Sequence, residues 1–357
     1  MHHPIKPIGK KQAAASRDNP VPPQWPSYTG TSQFVGISPS GRVTVYVDPT
    51  LGGPALQNAQ DLVKDADRVV SANDAQIFGA AGGPVSVIIF ALGGATDGTG
   101  GADHAGCDYT TGAAIEVCAS FGNSARVSAL FEAELSECSM GGSLCGISTG
   151  EALSRWCAAV ISNNALADFA TAPQWAQDGM PDYVNQTDPT DQNADSTGCG
   201  MAFLSWLMSQ GHSLDQIAQT MVSLGDTGTL AHLYANLTSD AASNAWPAFL
   251  AAVEALPNFA ANDDPFGGAV QPAQLAHLPP WTVELAGKVF GAILAGVAAE
   301  KAAHQIVASV RAVLVAAPTT KPATPTAKPA GALAARCYTR SRRLLPPGRP
   351  ITSNVGW

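Results

Sequence analysis

A chain of 357 residues with 46% hydrophobic content is long enough for two domains and has ample apolar material for a packed core. Its net charge of −9 conceals an asymmetry: residues 34–280 hold 25 acidic and 5 basic side chains, a net of −20, and the other 14 basic residues lie in the flanks. Phosphate binding needs clustered Lys and Arg, so this acidic centre excludes nucleic acid as a partner.

In chain order, residues 1–33 are polar and Pro-rich and read as a disordered arm. The start is basic but has no apolar stretch, so no signal peptide is visible. Arg42–Asp48 is a β-branched run that predicts a strand. Gly52-Gly53-Pro54 turns the chain into a helix reaching about Asn73, with Leu56, Ala59, Leu62, Val63, Ala66, Val69 and Val70 on its inner face. Pro84–Leu92 is continuously apolar and predicts a central strand. Gly93–Asp108 is a Gly/Asp-rich loop. Its Asp97, Asp103, His104 and Asp108 offer hard ligands for Ca²⁺ or another divalent ion, at a spacing that does not fit an EF-hand. Tyr109–Cys118 predicts a strand or hairpin turning at Thr111-Gly112.

Residues 123–157 carry the most site-like pattern. Asn123 or Ser124 caps a helix that stops near Gly141 and Gly142. Val127, Leu130, Phe131, Glu134 and Cys138 form one stripe of it, which sets Glu134 within an apolar face, with Glu137 one turn on and Glu132 at the flank. Ser148-Thr149-Gly150-Glu151 fits a capping box and starts a second helix. A carboxylate on a buried stripe is costly unless paired. The two cations nearest in sequence, Arg126 and Arg155, are the expected structural partners of Glu134 and Glu137.

Beyond an irregular Asp/Asn/Pro-rich stretch at 168–198, helices are expected at Cys199–Gln210, Ser213–Leu224 (with a capping box), about Thr229–Leu237 and about Ala241–Leu256. The globular core is set at 34–266. An Ala-rich helical extension follows at 267–317, then a Pro/Thr/Lys linker and basic tail at 318–357. No apolar run reaches the ~18 residues of a membrane helix. Six of the seven cysteines, Cys107, Cys118, Cys138, Cys145, Cys157 and Cys199, lie in the core. An even number suits disulfides and an extracellular or cell-envelope location; Cys107 with Cys118 and Cys138 with Cys145 are the close pairs, and buried thiols are the alternative.

The order strand, helix, strand, loop with edge hairpin, helix, loop, helix, helical subdomain resembles the zincin scaffold over roughly residues 34–260. It resembles in particular the gluzincin-like secreted peptidases related to plant basic secretory proteins. The resemblance implies an α+β fold: a small mixed β-sheet with zincin-like helices followed by a helical subdomain. In that family HExxH supplies two zinc-binding histidines and a glutamate that activates water, and the next helix supplies a third ligand. The aligned segment here is Ala133-Glu134-Leu135-Ser136-Glu137. Glu134 matches the general base, both histidine positions are lost to Ala133 and Glu137, and Glu151 stands where the next helix's ligand would be.

The resulting expectation is a secreted or envelope protein that binds a peptide or protein in the old cleft without zinc catalysis. Glu134, Glu137 and Glu151 are the candidate cleft carboxylates. The alternative is an active hydrolase, either a peptidase with an unusual metal site using His104 or a two-carboxylate enzyme. In the blandest case Glu151 only caps its helix and Glu132 is solvated. No GxSxG, P-loop or Rossmann fingerprint is present.

Overall fold

The computed structural model describes residues 19–108, 114–257 and 262–269. The expected turn at Thr111-Gly112, the Ala-rich helical extension from residue 270 onward and the linker and tail at 318–357 lie outside the described residues.

Five strands form one small mixed sheet: β1 (Gln33–Ile37), β2 (Val43–Val47), β3 (Val85–Phe90), β4 (Ala102–Ala105) and β5 (Ala114–Cys118), in the order β1-β2-β3-β5-β4. β2, β3 and β5 run parallel, and the edge strands β1 and β4 are antiparallel to their neighbours. The apolar run that predicts a central strand is β3, paired on both sides. Its side chains alternate. Val85, Val87 and Ile89 face a helical layer, and Ile88 and Phe90 face the opposite side of the sheet.

The helical layer is α1 (Gly52–Ser71) and α2 (Ser124–Ser139). α1 buries Ala59, Leu62, Ala66, Val69 and Val70 of the stripe expected of it, with Ala55 beside them and Leu56 and Val63 only partly buried, and continues into a π-helical turn at Ala72–Phe78. Burying each Leu or Val of this kind contributes about 1.5–3 kcal/mol.

The sheet's other face is covered by chain assigned above to the disordered arm, and for residues 19–33 that reading is corrected. Trp25 is buried against Tyr46, their ring centroids 5.6 Å apart. Glu116, fully buried on β5, accepts hydrogen bonds from the backbone N–H groups of Ser27 (2.9 Å) and Tyr28 (2.6 Å) and from the Ser27 hydroxyl. A buried carboxylate needs such donors, and the N-terminal segment supplies them.

The second lobe is helical: α3 (Ser148–Ile161), α4 (Ala172–Gln177), α5 (Ala194–Ser209), α6 (Leu214–Leu224), α7 (Leu230–Thr238) and α8 (Ala245–Glu254). Its core gathers Trp156, Trp175, Phe203 and Phe249, with Trp175 stacked on Phe249 at 5.8 Å. α3 packs against both α2 and α5, joining the layer over the sheet to the helical lobe. The protein is thus α+β, a small mixed sheet followed by a helical subdomain. No described helix is long and apolar enough to cross a membrane.

Candidate functional site

The site is built where β4, α2 and α3 meet. Asn123 caps α2 by accepting from the Arg126 backbone N–H (3.0 Å), and Gly141 and Gly142, both at positive φ, end the helix's last turn. Between those ends Glu134 and Glu137 stand three positions apart and share a face. That face looks toward β4, and Glu134 is 15% and Glu137 13% exposed at the side chain. α3 starts close by because the loop before it folds tightly back. A Cβ at Gly150 would collide with the Leu144 carbonyl oxygen, so only glycine permits this approach.

The cation facing the two glutamates is a histidine from the edge strand. His104 Nε2–H donates to Glu137 Oε2 at 2.9 Å and lies 3.9 Å from Glu134 Oε2. Its Nδ1–H donates to the Gly106 carbonyl. Burial disfavours the imidazolium, but hydrogen bonds to Cys138 and Glu137 and the charges of Glu134 and Glu137 outweigh it and raise the His104 pKa to about 12. Ser154, from α3, donates to Glu137 Oε1 (3.1 Å). Glu151 enters from α3's first turn; burial and the neighbouring Glu137 push its pKa up to about 8, although Arg155 opposes the shift. Burial, then repulsion from Glu137, likewise holds Glu134 well above the usual carboxylate range. Glu134, Glu137 and Glu151 thus lie close enough to act on one another's charge, with Glu134 and Glu137 also facing His104.

The expected arginine partners go elsewhere. Arg126 is fully buried, donates from Nε to Asp168 (2.9 Å) and from Nη1 to Ser120 (2.8 Å), and lies over the Phe169 ring. It starts its helix two turns before Glu134, about 12 Å away along the axis. Arg155 does approach Glu151 (3.9 Å), one turn back on α3, but donates to Asp263 (3.3 Å) and to the Phe169 carbonyl. Asp263 also accepts from the N–H groups of Thr171 and Ala172, at the start of α4. The cation that stands directly against Glu134 and Glu137 is His104.

Three further readings are corrected. Glu132 is not solvated: it is completely buried, accepts from Ser136 (3.1 Å), and burial raises its pKa well above the ordinary value. The capping box at Ser148 does not form, because the Ser148 hydroxyl accepts from the Asp188 N–H (2.9 Å) instead. The loop residues Asp97, Asp103, His104 and Asp108 do not bring their ligand atoms together among the described residues. Asp97 is spent on a local turn, accepting from Gly98 and Thr99, and Asp103 alternates with His104 along β4. The metal-capable group that assembles there is His104, Glu134 and Glu137, whose ligand atoms lie within 4.8 Å of one another.

The cysteine pairing also differs from the expectation. Cys107 is bridged to Cys145, with Cα atoms 5.8 Å apart, and Cys118, Cys138, Cys157 and Cys199 are buried thiols. The hairpin register explains why Cys107 cannot meet Cys118. The Cys118 N–H donates to Gly101 (3.0 Å), at the end of the hairpin away from Cys107. The bridge, with the Gly142 N–H donating to the Cys107 carbonyl (2.9 Å), fastens the chain after β4 to the α2–α3 loop. His104, three residues before Cys107, is thereby held over α2. Sequence reasoning offered His104 as a possible outside metal ligand but missed it as the charge partner of Glu137, and missed Ser154; neither contact has a local signal, since each joins separate elements. No family model, curated protein or solved structure matches the chain.

Proposed function

We propose that the protein binds a peptide or an extended protein segment along β4, in the cleft beside α2 and α3, on a zincin-like scaffold that lacks the histidine pair of a zinc peptidase. The observation that carries this reading is the edge of β4 that no described strand pairs. β4 pairs with β5 alone among the described residues. Because the Cys118 N–H bonds the Gly101 carbonyl, hydrogen-bonded pairs fall at Gly101/Cys118, Asp103/Glu116 and Ala105/Ala114. The backbone groups of Ala102 and His104 therefore point away from β5, toward an added strand. The His104 N–H is already held by the Asp103 carboxylate (2.8 Å), so a ligand's N–H groups would be met chiefly by the Ala102 and His104 carbonyls.

Loss of imidazole at positions 133 and 137 supports binding without ordinary zinc proteolysis. The Cys107–Cys145 bridge supports an oxidising, extracellular or envelope location. A hydrolase with an unusual metal site is the second reading, favoured by the convergence of His104 with Glu134 and Glu137.

The test is selection of binders from a random peptide display library, followed by measurement on Ala102→Pro. Proline there costs no bond to β5 but blocks strand addition. Peptides that bind the parent and lose at least tenfold in affinity on Ala102→Pro bear the reading out. Binders indifferent to that change, or peptides cleaved at the site, overturn it.

A further inference from the structure

We propose that His104 Nε2 and the carboxylates of Glu134 and Glu137 form a binding site for one divalent first-row transition ion, of the Mn²⁺ to Zn²⁺ series. The first support is convergence: three ligand atoms from two elements lie within 4.8 Å of one another, on side chains only 10–15% exposed. They are sheltered from bulk water yet still open to an entering ion.

The second support is independent of the ligand atoms and concerns what stands behind them. Ligating histidines characteristically donate their other ring N–H to a carbonyl, and ligating carboxylates are themselves hydrogen-bonded. Here His104 Nδ1–H donates to the Gly106 carbonyl, which directs Nε2 at the glutamates. Glu137 Oε1 accepts from Ser154, whose hydroxyl also lies 3.0 Å from the Glu151 carbonyl, leaving Oε2 turned to His104. The ligands also sit on rigid supports. Glu134 and Glu137 are one helical turn apart on α2, and the Cys107–Cys145 bridge holds the end of β4 against the α2–α3 loop.

Charge points the same way. Glu134, Glu137 and Glu151 face one imidazole, and the nearest arginine, Arg155, is already engaged by Asp263. The donor set then selects the ion. One imidazole nitrogen disfavours Ca²⁺ and Mg²⁺, which prefer all-oxygen shells, and two carboxylates without a thiolate disfavour Cu⁺. Binding exchanges the Nε2 proton, released to solvent, for the metal. The set is not the helix histidine pair of HExxH: the imidazole comes from the edge strand, and Glu134 is a ligand.

The experiment is titration of the chelator-stripped full chain with Mn²⁺ and with Zn²⁺ by calorimetry, with Co²⁺ absorption as a report on nitrogen and oxygen coordination. One ion per chain is expected, with affinity reduced at least about tenfold in His104→Gln and in Glu137→Gln and unchanged in Asp97→Asn. Circular dichroism establishes that each variant is folded, and Glu134→Gln replaces any that is not. Absence of a saturable site, or stoichiometric binding that survives both variants, overturns the proposal. It does not rest on peptide binding, and the Ala102→Pro experiment leaves all three ligand side chains in place, so the two can fail separately.

Discussion

Side chains whose charge is set by their surroundings dominate this protein at the scale of single residues. Glu151 has its pKa raised to about 8 from 4.5 in the folded chain. On unfolding at intermediate pH it gives up a proton that the folded state retains. Its contribution is therefore neutral below pH 4.5, falls by about 1.4 kcal/mol per pH unit between the two values, and is constant above 8. His104, raised to about 12, adds the same downward trend above its ordinary value of 6.5. In metal-free protein, urea unfolding should give a stability that declines from pH 5 to pH 8, and Glu151→Gln should remove about one proton's worth of that slope. Arg155 makes a different case. It was expected to sit beside the central glutamates and instead holds Asp263, which is 8% exposed. Burial raises the Asp263 pKa, and Arg155 and the α4 N–H groups oppose that rise. Arg155→Ala should cost on the order of 3–5 kcal/mol in urea unfolding, because a buried carboxylate loses its charge partner.

Secondary elements owe their positions here to a few cross-links rather than to long strands. β4 is only four residues, flanked by Gly101 and Gly106 and without a β-branched residue, so its pattern reads as loop. It is ordered by pairing with β5 and by the bridge beyond its end. Opening a loop of 38 residues should cost about 4 kcal/mol in the chain-entropy account. The double variant Cys107→Ser/Cys145→Ser should lower stability by that order in urea unfolding, and hydrogen exchange should quicken at His104 before it does at β3. Equal protection of β4 with and without the bridge would show that strand pairing alone holds the site. β1 was unreadable for a related reason. It is a bulged, half-exposed edge strand whose alternation is broken between Phe34 and Gly36.

Over the whole molecule, the acidic excess of residues 34–280 should oppose compaction through self-repulsion. Salt screens exposed charges over about 10 Å at 0.1 M, so the melting temperature of the intact protein should rise with NaCl between 0.01 and 0.5 M. A flat or falling response would mean that specific surface pairs such as Arg68–Asp65, 2.7 Å apart, outweigh the net charge. What the sequence by itself determined was the set of long periodic elements. α1, α2 and the central strand β3 are legible because burial of one face imposes a regular spacing of apolar residues on the chain. It also marked Glu134, Glu137 and Glu151 as residues in need of compensation, since carboxylates beside apolar stripes break that spacing. Only the tertiary structure decided who compensates them. His104 lies 30 residues before Glu134, in a loop-like stretch with no periodicity, and Arg126 and Arg155, nearer in sequence, are drawn to Asp168 and Asp263. The Cys107–Cys145 pairing and the strapping of Trp25 across the sheet were decided in the same way. Spacing along the chain records which face of an element is buried, whereas charge pairing and bridging depend on distances that exist only once the elements have packed.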